Sequence, residues 1–201
     1  MNNLATIEYK NYTINVNLDE DPINPRENDN LGTMICFHKK YFLGDKHYYN
    51  QDNYNSWEEL KKAIENENPN AIILPLYLYD HSGITMNTTG FYCKWDSGQV
   101  GWIYISREDI RKEYSCKRIT GSLKNRVINY LIQEVKTYDQ YLTGEIYGFS
   151  IDTIDEKNID SCYGYDDKEY MIQEAKDMID CRIKGMEDLI ALREKIIKVN
   201  P

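Results

Sequence analysis

With 201 residues, 41% hydrophobic and 28% charged, the chain is sized for one domain, or one domain with an appendage, and can bury about 70% of its unfolded surface. A net charge of −9 opposes phosphate backbones, so broad direct binding of nucleic acid by the whole chain is not expected. No apolar run approaches the roughly 18 residues of a membrane span, the N-terminus lacks a signal-like core, and five cysteines with no Cys-x-x-Cys pair argue against a disulfide or zinc framework; a reducing, cytoplasmic setting without a membrane partner is expected.

In chain order, Thr6–Val16 alternates apolar and polar residues around Lys10-Asn11 and predicts a hairpin. Residues 17–32 are polar, hold Pro22 and Pro25, and predict irregular structure before a strand over 33–38. Ser56-Trp57-Glu58-Glu59 is a capping box: the serine oxygen accepts an early helix amide and the glutamate reaches back, so a helix runs from there to about Glu67. Strands are predicted over 71–79, with Pro75 marking an edge or bulge, over 91–95, and over 100–105. Ser106 opens a short helix to about Tyr114, and Leu123, Val127, Tyr130, Leu131, Val135 and Tyr138 recur at helical spacing to about Tyr141. Residues 145–154 return to strand. From Lys168 to Val199, Ile172, Ala175, Ile179, Ile183, Met186, Ile190 and Ile197 form one stripe, interrupted at Gly185, in a long kinked helix or a helical hairpin. The expected class is α+β: a central, mostly antiparallel sheet flanked by helices, with a core domain at 1–166 and a C-terminal helical segment at 167–201 that packs on it or on a partner, a second copy included.

Chemistry concentrates in five loop-like clusters rich in aspartate and glycine: residues 25–32, 80–83, 95–99, 138–145 and 160–164. Tight turns use these residue types for backbone reasons alone, but they need no adjoining histidine, cysteine, tryptophan and glutamine. If the clusters share one rim, His81 with Asp96, Asp80 and Gln99 form the candidate catalytic set. His81 and Asp96 make the better acid/base pair, because strand neighbours such as Asp80 and His81 point to opposite faces. Cys93 as nucleophile with His81 as base is the weaker option, since Cys93 sits in an aromatic run with no helix start after it. Asp29, Asp96, Asp139 and Glu145 are the candidate oxygen ligands for magnesium or calcium, although no cluster has calcium-loop spacing. No phosphate loop, dinucleotide turn or nucleophile elbow is present, so no organic cofactor is expected.

Charge is uneven along the chain. Residues 106–136 carry 4 acids and 8 bases, while 137–181 carry 12 acids and 3 bases. The acids Asp152, Asp155, Glu156, Asp160, Asp166, Asp167 and Glu169 are the candidate partner-binding face, which fits the nucleic-acid groove of a second protein. The bland alternative is solubility.

Several segments together resemble a family of small proteins encoded by phages and mobile elements. They are Asp21-Pro22-Ile23-Asn24-Pro25-Arg26-Glu27-Asn28-Asp29-Asn30-Leu31-Gly32-Thr33-Met34, then Leu43-Gly44-Asp45-Lys46-His47, then Leu74-Pro75-Leu76-Tyr77-Leu78-Tyr79-Asp80-His81-Ser82-Gly83, then Trp95-Asp96-Ser97-Gly98-Gln99-Val100-Gly101, then Tyr138-Asp139-Gln140-Tyr141-Leu142-Thr143-Gly144 and Asp160-Ser161-Cys162-Tyr163-Gly164. The resemblance spans roughly residues 15–180. It implies an accessory role in a genetic parasite, inside a bacterial host cell, and supplies no catalytic residues. Three functions follow as expectations. The first is a protein-binding antagonist of a bacterial nucleic-acid-targeting defence, anti-CRISPR-like, whose partner is a defence or nucleic-acid-processing protein. The second is a metal-assisted hydrolase of a nucleotide or nucleic acid. The third is a small regulatory domain that binds a metabolite or ion.

Overall fold

The computed structural model describes residues 3–199 and is α+β. The chain divides into two compact units, 1–23 with 144–201 and 24–143, where the sequence reading set its boundary at 166/167. The strands form one antiparallel sheet in each unit.

The first unit begins with the predicted hairpin, β1 (Asn3–Tyr9) and β2 (Tyr12–Leu18). Lys10 and Asn11 both have positive φ, 48° and 66°, as the two-residue turn that follows the strand twist requires. The unit resumes at β7 (Tyr147–Asp152) and β8 (Asp160–Tyr165), and the sheet order is β1-β2-β7-β8. The 160–164 cluster is therefore an edge strand and not a loop. α4 (Lys168–Val199) is a single helix that runs through Gly185, so the helical-hairpin alternative is set aside. Its Met171, Ala175 and Ile179 pack on Ile14, Val16, Phe149 and Ile151, the same-face residues of the two central strands.

The second unit holds β3 (Thr33–Cys36), α1 (Trp57–Glu67), β4 (Ile72–Asp80), β5 (Ile84–Asn87), β6 (Ser97–Ile105), α2 (Arg107–Glu113) and α3 (Gly121–Thr143), with strand order β3-β6-β4-β5. Both serine caps form, Ser56 Oγ accepting the Glu59 amide at 3.2 Å and Ser106 Oγ the Asp109 amide at 3.0 Å, whereas the returning Glu59 carboxylate accepts the Asn55 amide at 2.8 Å, one residue before the cap. Side chains alternate along β6. Ile103 and Ile105 face α3 through Val127, Leu131 and Val135, whereas Trp102 joins Leu60 and Ile64 of α1. The sheet is thus covered on both faces. Pro75 sits where β4 is an edge on one side, since β5 pairs only with Tyr77–Asp80, and the register to β6 shifts beside it between Leu76 and Tyr77. The predicted strand over 91–95 is absent. These residues form bends, with Phe91 packed on Tyr79 at 5.7 Å between ring centroids, and the edge strand β5 stands before them.

Candidate functional site

The sheet register of the second unit decides which clusters meet. Cys36 pairs with Gly101 and Tyr79 with Ser97, so the ends of β3 and β4 and the start of β6 lie at one rim. At that rim the 80–83 and 95–99 clusters touch, the Asp80 amide donating to the Asp96 carbonyl at 2.8 Å. His81 Nδ1 lies 3.4 Å from Asp96 Oδ2, and Cys93 Sγ lies 3.5 Å from the same oxygen. Asp80 points elsewhere, accepting from the Tyr41 hydroxyl at 3.4 Å. Gln99 turns its amide onto the Gly101 carbonyl, 3.2 Å away.

The environment of this corner is open. The His81 and Asp96 side chains are 62% and 38% exposed. Beside them lies an open cleft of roughly 560 Å³ lined by Tyr77, Phe91, Tyr92, Lys94 and Ser97, with none of His81, Asp80, Asp96 or Gln99 in its walls. Tyr92 and Trp95 stand almost fully exposed, as does Phe42 on the loop that follows β3. The order Cys93, Asp96, His81 places the carboxylate between thiol and imidazole. A nucleophile needs the imidazole at the thiol and the carboxylate behind it, so this corner is not arranged as a catalytic triad.

The other clusters lie apart from it. Residues 25–32 precede β3, whose first residue, Thr33, pairs with Tyr104, about 24 Å along β6 from Ser97 at the usual rise per residue. Asp29 is exposed there, on an open hollow shared with Arg26 and Asp45. Asp139 Oδ1 accepts the Thr85 hydroxyl at 2.7 Å and the Met86 amide at 2.6 Å, so it ties α3 to the edge strand β5. Glu145 is exposed and belongs to the other unit. Among the described residues no three His, Cys, Asp or Glu side chains are placed to hold a metal ion together.

The acids of the first unit have mixed roles. Asp152 accepts the Asn158 amide at 2.7 Å and the Asn15 side chain at 3.0 Å, shaping the β7–β8 loop. Asp167 accepts the Tyr170 amide at 2.9 Å and caps α4. Asp155, Glu156, Asp160, Asp166 and Glu169 are exposed. They sit at the two ends of the β7–β8 hairpin, about 20 Å apart along strands of six residues.

The strongest polar constellation was not singled out from sequence. Arg26, with its side chain 2% exposed, bonds Asp45, Glu134 and the Gly32 carbonyl, and Glu134 Oε1 accepts the Leu31 amide at 2.6 Å. Its motif residues were visible, but the partners lie 19 and 108 positions away. Comparison with known proteins finds no match: no family model fits the chain, and no curated protein or solved structure is similar to it.

Proposed function

We propose that the protein acts by binding another protein, as an accessory factor of a mobile genetic element that antagonises a bacterial nucleic-acid-targeting defence, and that the acidic first unit makes the contact. One observation carries this reading. The first unit holds 18 acids and 9 bases, while the second holds 15 of each, so the entire net charge of −9 resides in the unit that carries the exposed acids. Charge of one sign gathered on one body is the distribution that steers it to a basic, nucleic-acid-binding groove and competes there with phosphate. The exposed, inverted order of Cys93, Asp96 and His81 favours binding over catalysis.

The test is capture from bacterial lysate with the intact chain, followed by inhibition of the captured enzyme. The expected result is a defence or nucleic-acid-processing enzyme that is inhibited, with inhibition lost when Asp155, Glu156, Asp160, Asp166 and Glu169 are reversed to lysine and kept in His81→Ala. Inhibition that survives the reversal and disappears in His81→Ala would make the rim of the second unit the working surface and remove the acidic-face reading.

A further inference from the structure

We infer that the free half of α4 is a self-association surface, and that two copies pair through it antiparallel about a two-fold axis. The starting observation is a mismatch of lengths. α4 has 32 residues, about 48 Å at the helical rise, whereas the strands beneath it span about 20–24 Å. Its buried residues, Met171, Ala175 and Ile179, belong to its first half, and every residue from Lys184 to Lys195 is exposed. Met186, Leu189, Ile190 and Leu192 are 52%, 66%, 57% and 55% exposed. Ile183, Met186 and Ile190 continue the sheet-packing stripe at the spacing of a helix-pairing seam, three then four residues apart.

A second apolar wall accompanies the helix. Ile183, Met186 and Ile190 line one side of an open groove whose other side is the β1–β2 turn at Tyr12 and the β7–β8 loop at Ile154, which is 93% exposed. The twelve exposed residues from Lys184 to Lys195, about 18 Å, make too short a coiled coil to last alone. The groove wall adds area towards the roughly 800 Å² per partner that a stable dimer needs, and a two-fold axis uses each contact twice.

Charge selects the occupant and its direction. Beyond Ile190 the helix carries Arg193, Glu194 and Lys195, all exposed and together net positive, while the β7–β8 loop beside the groove carries Asp155, Glu156 and Lys157, all exposed and together net negative. In an antiparallel pair the tail of one copy runs back over the groove of the other and sets Arg193 and Lys195 against Asp155 and Glu156. A parallel pair would set acidic loop beside acidic loop and basic tail beside basic tail. The net charges of tail and loop are therefore opposite in the antiparallel pair and alike in the parallel one. The dimer would cover the loop end of the acidic hairpin and leave Asp166 and Glu169 at its other end for a further partner.

Light scattering on the intact chain after size exclusion, across a concentration series to tens of micromolar, tests this. The expected result is a dimer whose dissociation constant rises about 100-fold in Met186→Glu/Ile190→Glu. These positions are exposed, and an unchanged circular dichroism spectrum verifies the fold. Arg193→Glu/Lys195→Glu is expected to weaken the dimer, and adding Asp155→Lys/Glu156→Lys in the same chain to restore it. A monomer throughout, a dimer indifferent to the helix substitutions, or a charge swap that fails to restore association overturns the proposal.

Discussion

Arg26 grips Asp45 at two points, Nε to Oδ1 at 2.9 Å and Nη2 to Oδ2 at 2.7 Å, and so locks the loop before β3 to the loop after it. Asp45 Oδ2 also accepts the Met34 amide at 2.7 Å, and Glu134 brings α3 into the same network. The guanidinium is thus surrounded by acceptors that already hold backbone amides. Desolvation works against its charge, but the two carboxylates outweigh that and raise its affinity for the proton.

Removing this cation strands Glu134, whose side chain is 8% exposed, next to Asp45. Arg26→Ala is expected to cost about 3–5 kcal/mol, because an uncompensated buried carboxylate remains. For a unit of this size that lowers the melting temperature by about 10 °C or more. Arg26→Lys should fall between the two, keeping the charge and losing the two-point grip. A calorimetric scan in which Arg26→Ala melts with the wild type would contradict the network's role.

Cys36 lies under the same network, where burial and the nearby Asp45 carboxylate push its thiol up from 9.0 to about 12. A raised folded value means the stabilisation is complete below pH 9 and is lost as pH climbs from there towards 12. At pH 8 Cys36 should therefore resist alkylation until the protein unfolds, while Cys181, which is exposed, reacts first. Mass spectrometry of iodoacetamide-treated protein, native against denatured, reads the difference directly.

At the acid side the informative group is Glu67, which accepts the Tyr48 and Tyr49 hydroxyls at 2.5 and 2.6 Å. Tyr48 and then Tyr49 lower its carboxyl from 4.5, and burial together with Glu67 raises the Tyr49 phenol. A lowered carboxyl contributes stability above pH 4.5 and loses it as pH falls through the folded value. Tyr48→Phe/Tyr49→Phe should therefore flatten the loss of stability below about pH 4.5, by less than about 1 kcal/mol because Glu67 is largely solvated. Urea midpoints at pH 7, 4 and 3 test the slope. An unchanged acid slope would show that the pair adds nothing.

What was legible in the sequence was local. The Lys10-Asn11 hairpin, the two serine caps and the Val127–Tyr138 stripe depend on residues within a turn or two of one another, and each formed. β5 and β8 were missed because short edge strands show little alternation, and Asp160–Gly164 has the composition of a turn. The division into two units escaped because β2 pairs with β7 across 129 to 139 positions, which no periodicity records. The His81–Asp96 approach was legible because both lie at strand ends flanking aromatic runs, and β4 and β6 are neighbours. Arg26, by contrast, finds its partners through tertiary closure alone.

Two glycines of β6 separate backbone need from turn composition. A Cβ on Gly101 would fall 1.9 Å from the Ile35 carbonyl oxygen, whereas one on Gly98 meets nothing within 4 Å. Gly101→Ala should force β3 away from β6 and cost about 3 kcal/mol or more. Gly98→Ala in the same strand should stay within about 0.5 kcal/mol of the wild type. Equal midpoints for the two variants in urea would refute the close approach.

Asp139 distinguishes a structural carboxylate from a ligand. Its Oδ1 holds the Thr85 hydroxyl and the Met86 amide, so Asp139→Ala leaves an edge-strand donor without its acceptor and should cost about 1–3 kcal/mol. Amide exchange should quicken over Ile84–Asn87, since the edge of the sheet loses its tie to α3. Asp139→Asn keeps an oxygen at that place and should restore most of the protection, because the interaction needs an acceptor more than a charge. A magnesium ligand would behave in the opposite way: the wild type would gain melting temperature with added magnesium, and the asparagine variant would lose that gain while its exchange at Met86 stayed slow.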